Sequence, residues 1–185
     1  MSEQIDRAER TARLAERNLF EELVRLRDEQ REQRRGAMQV IKRDELPLEL
    51  NPHGLMRWYL HPFIEDTAIK ALIFYSQEIP PGSRSGKQKH PGELIFYVVS
   101  GRGHTLIDGV RHPWRADDVF AIPTREGGVV YQHFNEDPER PAELVACELN
   151  QVHRLGVDRG SAFDELERAP EYSAARAAER RGAGG

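Results

Sequence analysis

The chain has 185 residues, 38% of them hydrophobic, with a formal net charge of -4 and a pI near 6.0. That is enough for one core of moderate size with an appended helix or tail, and too little for two equal domains. The acidic balance gives no electrostatic ground for binding nucleic acid or an anionic membrane surface, so small molecules or protein are the expected partners. Cys147 is the only cysteine, which excludes an intramolecular disulfide. No apolar run reaches the roughly 20 residues that span a bilayer, and the start, MSEQIDRAER, lacks the apolar core of a secretion signal. A cytoplasmic protein without a membrane span is expected.

From Glu3 to about Arg35 there is no proline or glycine, and Ile5, Ala8, Ala12, Ala15, Leu19, Leu23 and Leu26 recur at spacings of three and four amid dense charge. The pattern predicts an amphipathic helix on the order of 45 Å long, more than one small domain needs for its own packing. Its narrow, alanine-rich stripe either crosses a subunit boundary, giving a homodimer, or lies along the chain's own core. Between Asn51 and Gln151 the pattern changes to short apolar segments: AIKALIFYSQEI, ELIFYVV, GHTLIDG, VFAIP, VVYQHF and AELVACEL. Turn residues separate them at Pro80-Pro81-Gly82, Ser100-Gly101, Asp108-Gly109 and Gly127-Gly128. So many short strands in about 100 residues predict an all-β domain, closed as a barrel or paired as a jelly roll to protect its edges. After Leu155 the chain is charged and alanine-rich, with a short helix expected near Phe163 to Arg168 and a frayed RRGAGG end. The expected division is 1–46 helix and linker, 47–154 β-barrel, and 155–185 charged tail.

Gly82, five residues, Gln88-Lys89-His90, three residues, Leu94, six residues and Gly101 resemble the first motif of the cupin superfamily in spacing and glycines. DDVFAIPTREGGVVYQHFN, with Pro123, a glycine loop and Asn135, resembles the second. The resemblance is close over residues 82–135 and extends by strand pattern over 47–150. It implies an all-β, cupin-type double-stranded β-helix (jelly-roll) barrel, outside which the amino-terminal α-helix and the tail lie.

The resemblance also implies a divalent-metal site of two histidines, a glutamate and a third histidine. In this chain those places fall on Gln88, His90, Leu94 and Tyr131, so one of the four family ligands remains. Leu94 coordinates nothing, and strand alternation turns its neighbour Glu93 to the opposite face, as a solvated turn charge. The same alternation pairs Gln88 with His90 and Tyr131 with His133, both pairs aimed inward if the family register holds. Two imidazoles, a phenol and an amide make the candidate metal set Gln88, His90, Tyr131 and His133, with ferrous iron the metal that the resemblance implies. Weak or absent metal is the default, because amide and phenol are poor donors. Each residue also has a plainer reading: His133 and Tyr131 as core beside aromatic neighbours, Gln88 as a spacer, and Phe96 and Trp114 as core or as walls for a planar ligand. His104 is left undecided, and His53, His61, His112 and His153 are expected at the surface or in loops. Cys147 is expected as a small buried hydrophobe.

There is no phosphate loop, dinucleotide fingerprint or nucleophile elbow. A dead site would be expected to fill with apolar side chains, since an unpaired buried polar group costs roughly 1 to 3 kcal/mol. The polar positions therefore predict a cavity in use. The leading expectation is a dioxygenase-like oxidoreductase acting on a small polar or aromatic organic molecule, with His90, Tyr131 and His133 as catalytic residues. The alternatives are a metal-free ligand-binding or regulatory cupin, and a metal-free lyase or isomerase with His90 or Tyr131 as acid and base.

Overall fold

The computed structural model describes residues 7–150 and 164–182, in two compact units. The first holds the helices α1 (Arg7–Ala15) and α2 (Leu19–Arg35), the segment up to Gln39, and Glu65–Ala68. The single helix expected over this region is interrupted. Asn18 caps α2, its side chain accepting from the Glu21 amide at 3.2 Å, and the backbone at this polar residue leaves helical geometry. Leu19, Phe20, Leu23 and Leu26 of α2 are each more than half exposed. Within this unit Met38 bridges to Thr67, with the Met38 amide donating to the Asp66 carbonyl at 2.7 Å.

The second unit is the expected all-β barrel. Its strands are β1 (Glu49–Asn51), β2 (Gly54–Leu60), β3 (Leu72–Ile79), β4 (Lys87–His90), β5 (Leu94–Ser100) and β6 (Arg102–Ile107). They continue as β7 (Val110–Arg115), β8 (Val119–Ile122), β9 (Val129–Asn135), β10 (Ala142–Leu149) and β11 (Asp164–Glu167), followed by helix α3 (Pro170–Gly182). The sheet orders are β1-β2-β3-β10-β5-β8 and β11-β4-β9-β6-β7, and all of these strand pairs are antiparallel. Alternation sorts the side chains: Leu94, Phe96 and Val98 of β5 are buried between the sheets, whereas Ile95, Tyr97 and Val99 face outward. Met56, Ile73, Tyr75, Ile79, Ile122 and Leu144 complete much of the core.

The helix expected near Phe163 to Arg168 is instead strand β11 over its described part, Asp164–Glu167, and the helix begins at Pro170. A sheet edge decides this, because β4 offers unpaired backbone groups that β11 satisfies. Phe163 and His153 lie outside the described residues. Among the described residues no helix is long and apolar enough to cross a membrane.

Candidate functional site

β4 and β9 lie side by side, with Gln88 opposite Tyr131 and His90 opposite Val129. Gln88, His90, Tyr131 and His133 are all buried, at 3%, 7%, 2% and 1% exposure, so their polar atoms must find partners inside the protein.

The partners are specific. The Gln88 amide nitrogen lies 2.6 Å from His53 Nδ1, and the Tyr131 hydroxyl donates to Gln88 Oε1 at 2.7 Å. His90 Nδ1 accepts the Gly92 amide at 3.0 Å, which assigns the ring proton to Nε2, and that nitrogen meets Glu148 Oε2 at 2.8 Å. This turn requires glycine: Gly92 has φ +112°, and a Cβ there would come within 2.4 Å of the Pro123 carbonyl. His133 Nδ1 is 2.8 Å from Thr105 Oγ1, which also accepts the Trp114 indole N–H at 3.0 Å. Its Nε2 is buried without a hydrogen-bond partner. The ring is held edge-on against Phe96 and Phe120, with centroids 4.6 and 5.7 Å away.

Burial sets the protonation states. Desolvation, aided by the charge of His53, pushes the His133 imidazole down to about 3. His53 is lowered to about 4 by desolvation first and by His90 second. Tyr131 is raised well above 10, chiefly by desolvation, with Tyr75 and Glu148 adding to the effect, so its hydroxyl stays a donor. Glu165 is raised to about 7 by desolvation, against the opposing pull of Arg168.

His53, expected at the surface, is instead 8% exposed at the heart of this network. The Gly86 amide donates to its carbonyl at 3.0 Å, and so does the Gln77 side chain at 2.7 Å. Glu148, Thr105 and Glu165 were not singled out in the sequence. Glu148 had a signal, since it continues the inward row Ala142, Leu144 and Ala146. His104 faces away from the interior network, paired with Glu136 at 2.7 Å and stacked on Phe134. His61 packs edge-on against Trp58, His112 is exposed, and Glu93 is exposed as expected. Cys147 is half-buried, where full burial was expected, because its strand position faces outward. Phe96 and Trp114 are core residues, at 0% and 5% exposure. A groove of about 510 Å³ opens beside Leu94, Ile122, Pro123, Cys147 and Glu148, so Glu148 belongs both to the groove and to the His90 pair.

The cupin domain family matches residues 75–148. Over those residues the barrel is a cupin domain. It is similar to 5-aminosalicylate 1,2-dioxygenase from Comamonas sp, with 25% identity over 111 residues, 60% of this chain and 28% of that protein. It is also similar to gentisate 1,2-dioxygenase 1 from Aquipseudomonas alcaligenes, with 28% identity over 94 residues, covering 50% of this chain and 26% of that protein. With an oxalate-binding protein from Thermotoga maritima it shares 34% identity over 77 residues, covering 41% and 64%. The chain thus spans only about a quarter of the length of the two dioxygenases. Among solved structures, a polyketide cyclase from Streptomyces resistomycificus aligns with TM-score 0.54 at 12% identity, over 74% of this chain and 96% of that one. A Cupin 2 conserved barrel domain protein from Salinispora arenicola aligns at 0.51 with 24% identity, over 65% and 97%. These likenesses establish the fold.

The resemblance to cupins brings a divalent metal into question, and the donors test it. Gln88, Tyr131 and His90 are engaged through the atoms that a metal would need, and Leu94 stands at the glutamate position. Of the four expected ligands, only His133 Nε2 is uncommitted. Among the described residues, no three His, Cys, Asp or Glu side chains are grouped to hold an ion. In this arrangement the donor set does not fit a divalent metal.

Proposed function

We propose that this cupin binds a small polar or aromatic organic molecule and acts on it by metal-independent proton transfer. The observation that carries the reading is the buried His90–Glu148 pair at the groove. His90, its Nδ1 occupied by the Gly92 amide, directs Nε2–H at the carboxylate and holds it in place. Glu148 is the group that accepts a substrate proton, while Tyr131, Gln88 and His133 contact the ligand deeper in the barrel. A groove of this volume falls within the usual range for small-molecule sites.

A second reading is favoured by the similarity to two dioxygenases. In it, the barrel is an oxygenase-like oxidoreductase whose His90, His133, Gln88 and Tyr131 take up ferrous iron after the His90–Glu148 and Gln88–Tyr131 bonds open. Metal analysis, with calorimetric titration of gentisate, 5-aminosalicylate and oxalate before and after chelation, separates the two. The metal-independent reading requires that binding of gentisate or 5-aminosalicylate survive chelation and that Glu148→Gln abolish solvent-deuterium exchange into the carbon-bound positions of that probe. Binding that appears only after ferrous iron is added supports the second reading and overturns the first.

A further inference from the structure

The cupin match ends at Glu148, yet β11 places a carboxylate from beyond it against the interior network. Glu165 stands opposite Gln88 in the β11–β4 register, and its Oε2 lies 3.2 Å from His53 Nε2. Both carboxylate oxygens are buried and make no hydrogen bond of good geometry. The carboxylate is packed against the Gly86 backbone, where a Cβ would come within 2.6 Å of Oε1 and 2.4 Å of the Pro52 carbonyl. The strand therefore seats this group at a place that only glycine leaves open.

The hydrogen bonds have one polarity. An amide nitrogen only donates, so His53 Nδ1 accepts from Gln88 and the ring proton sits on Nε2, toward Glu165. Gln88 Oε1 then accepts from the Tyr131 hydroxyl. With its proton so used, Tyr131 keeps only acceptor capacity for any further partner. Protons thus point in sequence from Tyr131 through Gln88 to His53, whose Nε2 lies 3.2 Å from Glu165 Oε2. The opposite polarity is equally satisfiable without the carboxylate: His53 protonated on Nδ1, the Gln88 amide turned over, and Tyr131 accepting from it.

We infer that Glu165 is a positioning residue that selects the Nε2–H tautomer of His53 and, through the Gln88 amide, fixes the direction in which the Tyr131 hydroxyl points. The consequence, which rests on reading the barrel interior as the ligand site, is specificity. With this polarity the Tyr131 oxygen ends the chain as an acceptor, so the site favours a ligand hydroxyl or amine there over a carbonyl or carboxylate oxygen.

The test is the His53 tautomer in full-length protein, read from imidazole nitrogen shifts by NMR at about pH 8.5, where the carboxylate is charged. Wild type is expected to show Nε2–H, Glu165→Gln to keep it through its remaining carbonyl oxygen, and Glu165→Leu, of similar size but without an acceptor, to move most of the population to Nδ1–H. A purely packing role would leave the tautomer alone. An unchanged tautomer in Glu165→Leu overturns the inference. So does Nδ1–H in wild type, which decides the matter even if the leucine variant fails to fold. Calorimetric affinity for gentisate is expected to fall about tenfold in Glu165→Leu and to stay within about twofold in Glu165→Gln. If wild type binds none of the three probes while the tautomers behave as stated, the small-molecule reading fails and the positioning role stands.

Discussion

Thr105→Val isolates the support behind His133 with almost no change in side-chain size. Thr105 is fully buried, and its hydroxyl is the partner of both His133 Nδ1 at 2.8 Å and the Trp114 indole N–H at 3.0 Å. Valine removes both interactions and leaves two more buried polar atoms unpaired, beside a His133 Nε2 that already lacks a partner. Each newly unpaired group costs about 1–3 kcal/mol, partly offset by burying a methyl in place of a hydroxyl, for a net loss of about 2–4 kcal/mol. Urea unfolding followed by tryptophan fluorescence measures it, since Trp58 and Trp114 both lie in the barrel unit. At a urea slope of about 2–3 kcal/mol per molar, the midpoint should drop by about 1 M with the slope unchanged. Thr105→Ser, which keeps the hydroxyl, should lose no more than about 1.5 kcal/mol. A midpoint shift below about 0.2 M in Thr105→Val would falsify the claim that this hydroxyl satisfies the two rings.

The ionisable interior makes stability depend on pH from both sides. Glu165 has a folded pKa raised to about 7, so its contribution is complete below its unfolded value of 4.5 and is lost as pH rises through 7. Glu165→Gln should therefore be more stable than wild type by about 1–2 kcal/mol near pH 8, after discounting for the partial exposure of the side chain, and should differ little near pH 4. His53 and His133 are depressed to about 4 and 3, so their contribution is complete above 6.5 and is lost as pH falls toward those values. An unfolding midpoint flat from about pH 6.5 to 4 in Glu165→Gln would contradict the buried, neutral state of the two imidazoles. Replacing the cross-strand pair by Gln88→His and Tyr131→His should raise affinity for zinc, nickel or ferrous iron markedly, and no gain on anaerobic loading would refute the inward register of these positions. The exposed Leu19, Leu23 and Leu26 stripe predicts a homodimer in sedimentation that Leu23→Glu converts to monomer, and a monomeric wild type would defeat that expectation.

How much of this was legible in the sequence follows from what alternation encodes. A period of two tells which face of a strand is buried, so β5, β9 and β10 could be read from local pattern, while the cupin barrel and the inward aim of Gln88, His90, Tyr131 and His133 rest on the motif resemblance. It does not tell what an inward polar group will meet, because partners come from strands far away in the chain. Glu148 lies at an inward position, but its pairing with His90 depends on sheet packing that no window of residues contains. β11 is the sharper case. In DELE an inward-apolar reading would bury Leu166 and expose the carboxylates, yet Leu166 is 52% exposed while Glu165 and Glu167 are the less exposed residues. Specific partners explain the inversion: Glu167 meets Arg84 and Lys87 at 2.8 and 3.1 Å, and Glu165 meets His53. A strand whose polar face is the buried one cannot be held by hydrophobic burial. Its position depends on β4 backbone pairing and on charge partners supplied by the barrel, and that is why Glu165 lies in a stretch that local pattern assigns to a charged tail.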